Sequence, residues 1–155
     1  MKPEKTQLIS DVVIGIFRTN GRMLEWGDSF TAPFGITSAR WQILGAIALG
    51  SQRLTAPQIA EQMGISRQGA QKQLNLLTAD GLIERLANPT HQRSPHYQLS
   101  RLGDVLFQQV NAAWASHARE VGQHFSRSEL KTAIRVLNAL TNIHTAPCQG
   151  ENDEA

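Results

Sequence analysis

Six polar residues, Ser66, Arg67, Gln68, Gln71, Lys72 and Asn75, fall within one short stretch, opposite an apolar row of Ala70, Leu74 and Leu77 at helical spacing. Their types suit duplex nucleic acid. An arginine can grip guanine O6 and N7 with two hydrogen bonds, and glutamine can do the same for adenine N6 and N7. Lys72 suits a phosphate, which positions a protein without reading sequence. Gly69 leaves a gap in this face where a base edge or methyl group could approach. A solvated helix face is also polar, but such faces usually mix glutamate with lysine. No acidic residue occurs from Ser66 to Leu77. A seventh candidate, Arg93, stands between His91 and His96 in a turn-rich loop, NPTHQRSPH. An arginine at a loop tip can enter a narrow minor groove, where the potential is most negative.

These residues need elements to present them. Thr55 starts a short helix with Pro57 tolerated in its first turn, and Ile59, Ala60 and Met63 form its apolar side. Ala60 lets a second helix approach, Gly64 permits the turn, and Ile65 is expected to plug the junction. Ser66 caps the next helix and Gly81 stops it. Leu82 to Leu86 and Tyr97 to Leu99 read as two short strands flanking the loop. Helix, turn, helix and hairpin in this order make a winged helix-turn-helix. Upstream, residues 7–26 carry Leu8, Val12, Ile16, Met23 and Leu24 near helical spacing, and Gly27 to Thr37 reads as a loop. Thr37 or Ser38 caps a further helix through Leu49, with Trp41, Leu44 and Ile47 or Ala48 inward. Downstream, residues 101–125 read as a long helix striped by Leu102, Leu106, Val110, Trp114, His117, Val121 and Phe125. That stripe is longer than internal packing needs and suggests pairing with another helix. Ser126 and Glu129 form a capping box for a last helix to about Ile143. The fold class is therefore mainly α with a small β-wing and about six helices.

Bulk properties bound the function. A chain of 155 residues suits one domain with a dimerisation arm, and 41% hydrophobic residues suffice for a core. The longest uncharged apolar run, Ile43 to Gly50, is far below the roughly 20 residues of a membrane span. MKPEKTQLIS shows no secretory pattern. The single Cys148 permits no internal disulfide, which fits a cytoplasmic location. Residues 53–103 hold six cations against three anions, whereas residues 104–155 hold four against six. A basic middle favours a polyanionic partner.

From about Leu8 to Ile143 the chain resembles the MarR family of bacterial transcriptional regulators. The resemblance is carried by FGITSARWQIL, IAEQMGISRQGAQKQLNLL, DGLIERL and LSRLG. It implies an obligate homodimer, with residues 1–36 and 101–145 forming the dimerisation region. It implies a winged DNA-binding domain at 37–100 that reads a pseudopalindromic operator, and a repressor released by a small aromatic ligand. Residues 146–155 are expected to be a disordered tail. The chain departs from the family where His91 replaces the wing aspartate that usually holds the loop, Gln92 replaces an arginine, and Gly69 and Gln73 replace β-branched or apolar residues.

Other constellations point elsewhere or nowhere. Trp26, Phe30, Trp41 and Trp114, with Phe34, would surround the family's ligand cavity, though aromatic residues are also ordinary core material. His117, Glu120 and His124, at i, i+3 and i+7, could face a metal from one helix, but such a pair more often belongs to a helix interface, and no metal or cofactor is expected. Cys148 has no neighbouring cation to activate it. No nucleophile–base pair or phosphate-cradling loop is visible, so enzymatic activity is not expected. A winged helix that docks on a protein and never reads bases is the alternative of another class.

Overall fold

Helix starts and stops follow local chemistry. The computed structural model describes residues 4–145. These form α1 (Lys5–Thr31), a 3-10 turn (Ala32–Phe34), α2 (Ser38–Leu49), β1 (Leu54–Thr55), α3 (Ala56–Met63), α4 (Arg67–Ala79), β2 (Ile83–Leu86), β3 (His96–Leu99), α5 (Arg101–Gly122) and α6 (Arg127–His144). Thr37 caps α2 by accepting from the Arg40 amide, and Ser66 caps α4 by accepting from the Gly69 amide. Thr55 with Gln58 and Ser126 with Glu129 build reciprocal capping boxes on α3 and α6. The two hydrogen bonds from the Ser126 backbone and hydroxyl hold the Glu129 carboxyl below its ordinary pKa.

The chain divides into two compact units, Met1–Ala113 and Trp114–Ala155. In the first, the sheet is antiparallel with order β1-β3-β2, and Tyr97 pairs with Leu54 on one side and Arg85 on the other. Its core joins Ile43 and Leu44 of α2, Ile59 of α3, Leu74 and Leu77 of α4, Ile83, Tyr97, and Phe107 and Val110 of α5. Each buried leucine contributes about 1.5–3 kcal/mol. In the second unit, α6 buries no residue.

Four expectations change. The loop expected at Gly27 to Thr37 begins only after Thr31. The Thr31 hydroxyl donates to the Gly27 carbonyl at 2.8 Å, and the Asp28 carboxylate accepts from the Ser38 amide at 2.8 Å, so the last turn of α1 persists and ties itself to the start of α2. Ile65 is 43% exposed and does not plug the helix–helix junction, which the buried Ala60 occupies. Residues 54 and 55 form a strand too short to show alternation. The long helix ends at Gly122, and its buried face is Gly103, Phe107 and Val110; Leu102 is 60% exposed. Gly103 decides that rotation, because a Cβ there would collide with the Leu82 carbonyl, so only glycine lets α5 press its backbone onto the segment entering β2.

Candidate nucleic-acid interface

The candidate interface is built on α4. Ala70, Leu74 and Leu77 are fully buried and fix the rotation of the helix about its axis. That rotation leaves Ser66, Arg67, Gln68, Lys72 and Asn75 exposed and Gln71 half-buried. The turn before α4 needs Gly64 at φ 63°, a left-handed conformation; the next amide, Ile65, donates to the Ala60 carbonyl at 3.0 Å and closes α3. Gln68, Gln71, Lys72, Asn75 and Leu76 border a shallow groove along the exposed side. Two sheet residues reach this face. The Arg85 guanidinium of β2 donates to Asn75 Oδ1 at 2.9 Å, and Gln71 Nε2 donates to the same oxygen at 2.9 Å and to the Tyr97 hydroxyl at 3.3 Å.

Arg93 is exposed in the loop between β2 and β3, as its sequence position implies. What shapes that loop is Asn88, which is only 6% exposed. Its amide nitrogen donates to the Ser94 carbonyl at 2.9 Å, and its Oδ1 accepts from the Thr90 amide and hydroxyl at 3.1 and 2.8 Å. Asn88 thus braces the wing, and His91 lies exposed within the same loop. Sequence reasoning missed Asn88 and Arg85. The signal for Asn88 was present, since asparagine closing a turn onto its own backbone is a known loop device.

Three aromatic pocket candidates of the first unit come together. Trp26 and Phe30 stack with ring centroids 4.8 Å apart, and Phe30 meets Trp41 at 5.3 Å; all three are half-buried. Trp114 meets His117 at 5.9 Å on α5. A separate open cleft of about 500 Å³ is lined by Phe34, Ile36, Leu82, Leu102, Val105 and Leu106, with the Arg40–Asp80 ion pair, 2.6 Å long, in its wall. His124 lies beyond the end of α5, so His117, Glu120 and His124 do not share one helix face. Among the described residues, no group of three His, Cys, Asp or Glu side chains could hold a metal ion, and no helix is long and apolar enough to cross a membrane. Cys148 and the tail expected at 146–155 lie outside the described residues.

Residues 34–94 match the model of the MarR family. An uncharacterized protein of Mycobacterium tuberculosis is 36% identical over 110 residues, which span 71% of this chain and 73% of that protein. Among solved structures, a MarR family transcription regulator, SP03579, is 27% identical with a TM-score of 0.73, covering 90% of this chain and 91% of its own. A mutant MarR of Escherichia coli complexed with operator DNA is 19% identical with a TM-score of 0.70, covering 89% and 99%. CouR of Rhodococcus jostii bound to p-coumaroyl-CoA is 15% identical with a TM-score of 0.76, covering 90% and 98%.

Proposed function

The chain belongs to the MarR family of transcription regulators, and from that premise we propose that it is a cytoplasmic repressor that binds a pseudopalindromic operator as a homodimer and leaves it when a small aromatic ligand binds. The observation that carries the DNA reading is the exposed, acid-free face of α4. In this reading Arg67, Gln68 and Gln71 meet base edges, Ser66, Lys72 and Asn75 meet the backbone or flanking bases, and Arg93 enters the minor groove. The operator complex of the Escherichia coli relative supports the partner class. Apolar side chains exposed along α1 and α6, among them Leu8, Val12, Leu130, Ile134 and Leu137, support a second copy as their cover. The Trp26–Phe30–Trp41 cluster supports an aromatic effector, and CouR carries an aromatic acyl thioester.

The test is selection of bound sequences from random duplex DNA by the full-length chain, followed by titration with salt and with aromatic acids. A two-fold symmetric consensus and release by an aromatic compound are expected. Lys72→Ala should weaken all sequences alike and reduce the salt slope by about 0.9 per lost phosphate contact, whereas Gln68→Ala should relax one base position in each half-site. Absence of any sequence preference at moderate salt overturns the reading. So does a regulatory output in cells that survives charge reversal at both Arg67 and Lys72, which would favour a protein-docking module.

A further inference from the structure

Arg85 does more than add charge beside α4. An arginine guanidinium has five N–H donors, no acceptor, and no deprotonated form in proteins. Whatever atom faces its Nη2 at 2.9 Å must therefore be an acceptor, so Asn75 presents Oδ1 to Arg85. The same Oδ1 lies 2.9 Å from the end of Gln71, and an acceptor there demands a donor. Gln71 consequently turns Nε2 inward. The amide NH₂ has two protons. One goes to Asn75 and the other is directed at the hydroxyl of Tyr97, a residue that is itself buried. What these bonds leave over is Gln71 Oε1, an acceptor only, together with the Asn75 NH₂, a donor only.

We propose that Arg85 is a positioning residue that sets the hydrogen-bond polarity of Gln71 and Asn75, so that Gln71 selects a base with an amino group in the major groove. The proposal rests on the DNA-binding reading of α4. A free glutamine can pair with adenine through both of its ends. Gln71, with its NH₂ engaged, accepts from adenine N6 or cytosine N4 with little distinction between them, and excludes guanine and thymine, whose O6 and O4 would oppose its own oxygen. Tyr97 holds the inner end of this relay and Arg85 the outer end.

The experiment compares the wild-type chain with Gln71→Ala, Arg85→Met and Arg85→Lys in the same random-DNA selection, with a salt titration of each. Gln71→Ala identifies the base position that Gln71 reads. There the wild type should favour adenine and cytosine over guanine and thymine by about fivefold to tenfold, the range of one hydrogen bond and its mismatch. Arg85→Met should reduce that preference to about twofold or less, because the two amides are then free to flip. Arg85→Lys, which keeps a donor-only group, should restore it. The proposal is overturned if a keto base is favoured at that position, if Gln71→Ala changes no position, or if Arg85→Met leaves the preference intact. Uniform weakening by Arg85→Met with a salt slope lower by about 0.9 and an unchanged consensus would make Arg85 a phosphate contact instead. Failure of the DNA reading is distinguishable, since the wild type would then yield no consensus, and the inference would fall with it.

Discussion

The winged region and helix α6 are both amphipathic, yet they end differently. In α4 the apolar row Ala70, Leu74 and Leu77 is entirely removed from solvent by the chain's own α2, α3 and sheet. In α6 the row Leu130, Ile134 and Leu137 is 42%, 59% and 46% exposed, and nothing on that helix is buried. The pattern is the same and the outcome is not. A periodic stripe states that a helix wants a partner; it does not state whether the same chain supplies one. The winged region is complete within one copy, whereas α6 carries an unfinished surface that fits the proposed dimer.

Changes in the two regions should therefore fail in different ways. The largest effect is expected from Leu74→Ala, which opens a cavity in a closed core and should cost about 2–5 kcal/mol in urea unfolding. A cost below about 1 kcal/mol would show that the winged core is looser than its burial implies. Ile134→Lys should leave the winged region folded but raise the dimer dissociation constant by about a hundredfold, roughly 3 kcal/mol, in sedimentation experiments. Unchanged association would break the contrast, since the α6 face would then need no cover. Asn88→Ala should cost about 1–2 kcal/mol, felt within the wing as faster amide exchange over residues 88–95 while α4 keeps its protection. The smallest effect concerns acid. Glu129 has a lowered pKa in the folded chain, so its cap contributes fully above the ordinary glutamate value. That contribution is lost as the pH falls from roughly 4 toward the lowered pKa. Glu129→Gln should remove this pH dependence at the start of α6, as read by circular dichroism, whereas Ser126→Ala, which keeps the backbone donor, should only reduce it; an acid response in Glu129→Gln identical to that of the unsubstituted chain would refute it.

Much of the fold was legible because it is written in local chemistry. Thr55 and Ser126 are capping residues whose role follows from type and from the Gln58 or Glu129 three positions on, Ser66 follows from type, and of the alternatives Thr37 and Ser38 it is Thr37 that caps α2. The outward set from Ser66 to Asn75 followed from the buried spacing of Ala70, Leu74 and Leu77, and burial leaves all of that set exposed except Gln71, which is half-buried. The loop at Gly27 failed because glycine and proline composition says nothing of Asp28 reaching the Ser38 amide ten residues away. The stripe on α5 was read one residue off, since leucines at 102 and 106 outweighed a glycine whose value lies in what touches it.

By itself, then, the sequence determined most of the helices, their caps, the turn at Gly64 and the residue types on the outward face of α4, because each depends on neighbours within a turn or two. Only the tertiary structure decided which face of α5 is buried, that Asn88 braces the wing, and that Arg85 and Tyr97 meet Gln71 and Asn75. Those contacts join residues brought side by side by the β2–β3 register and the packing of α4, and a hydrogen bond across such a join has no periodicity in the chain to announce it.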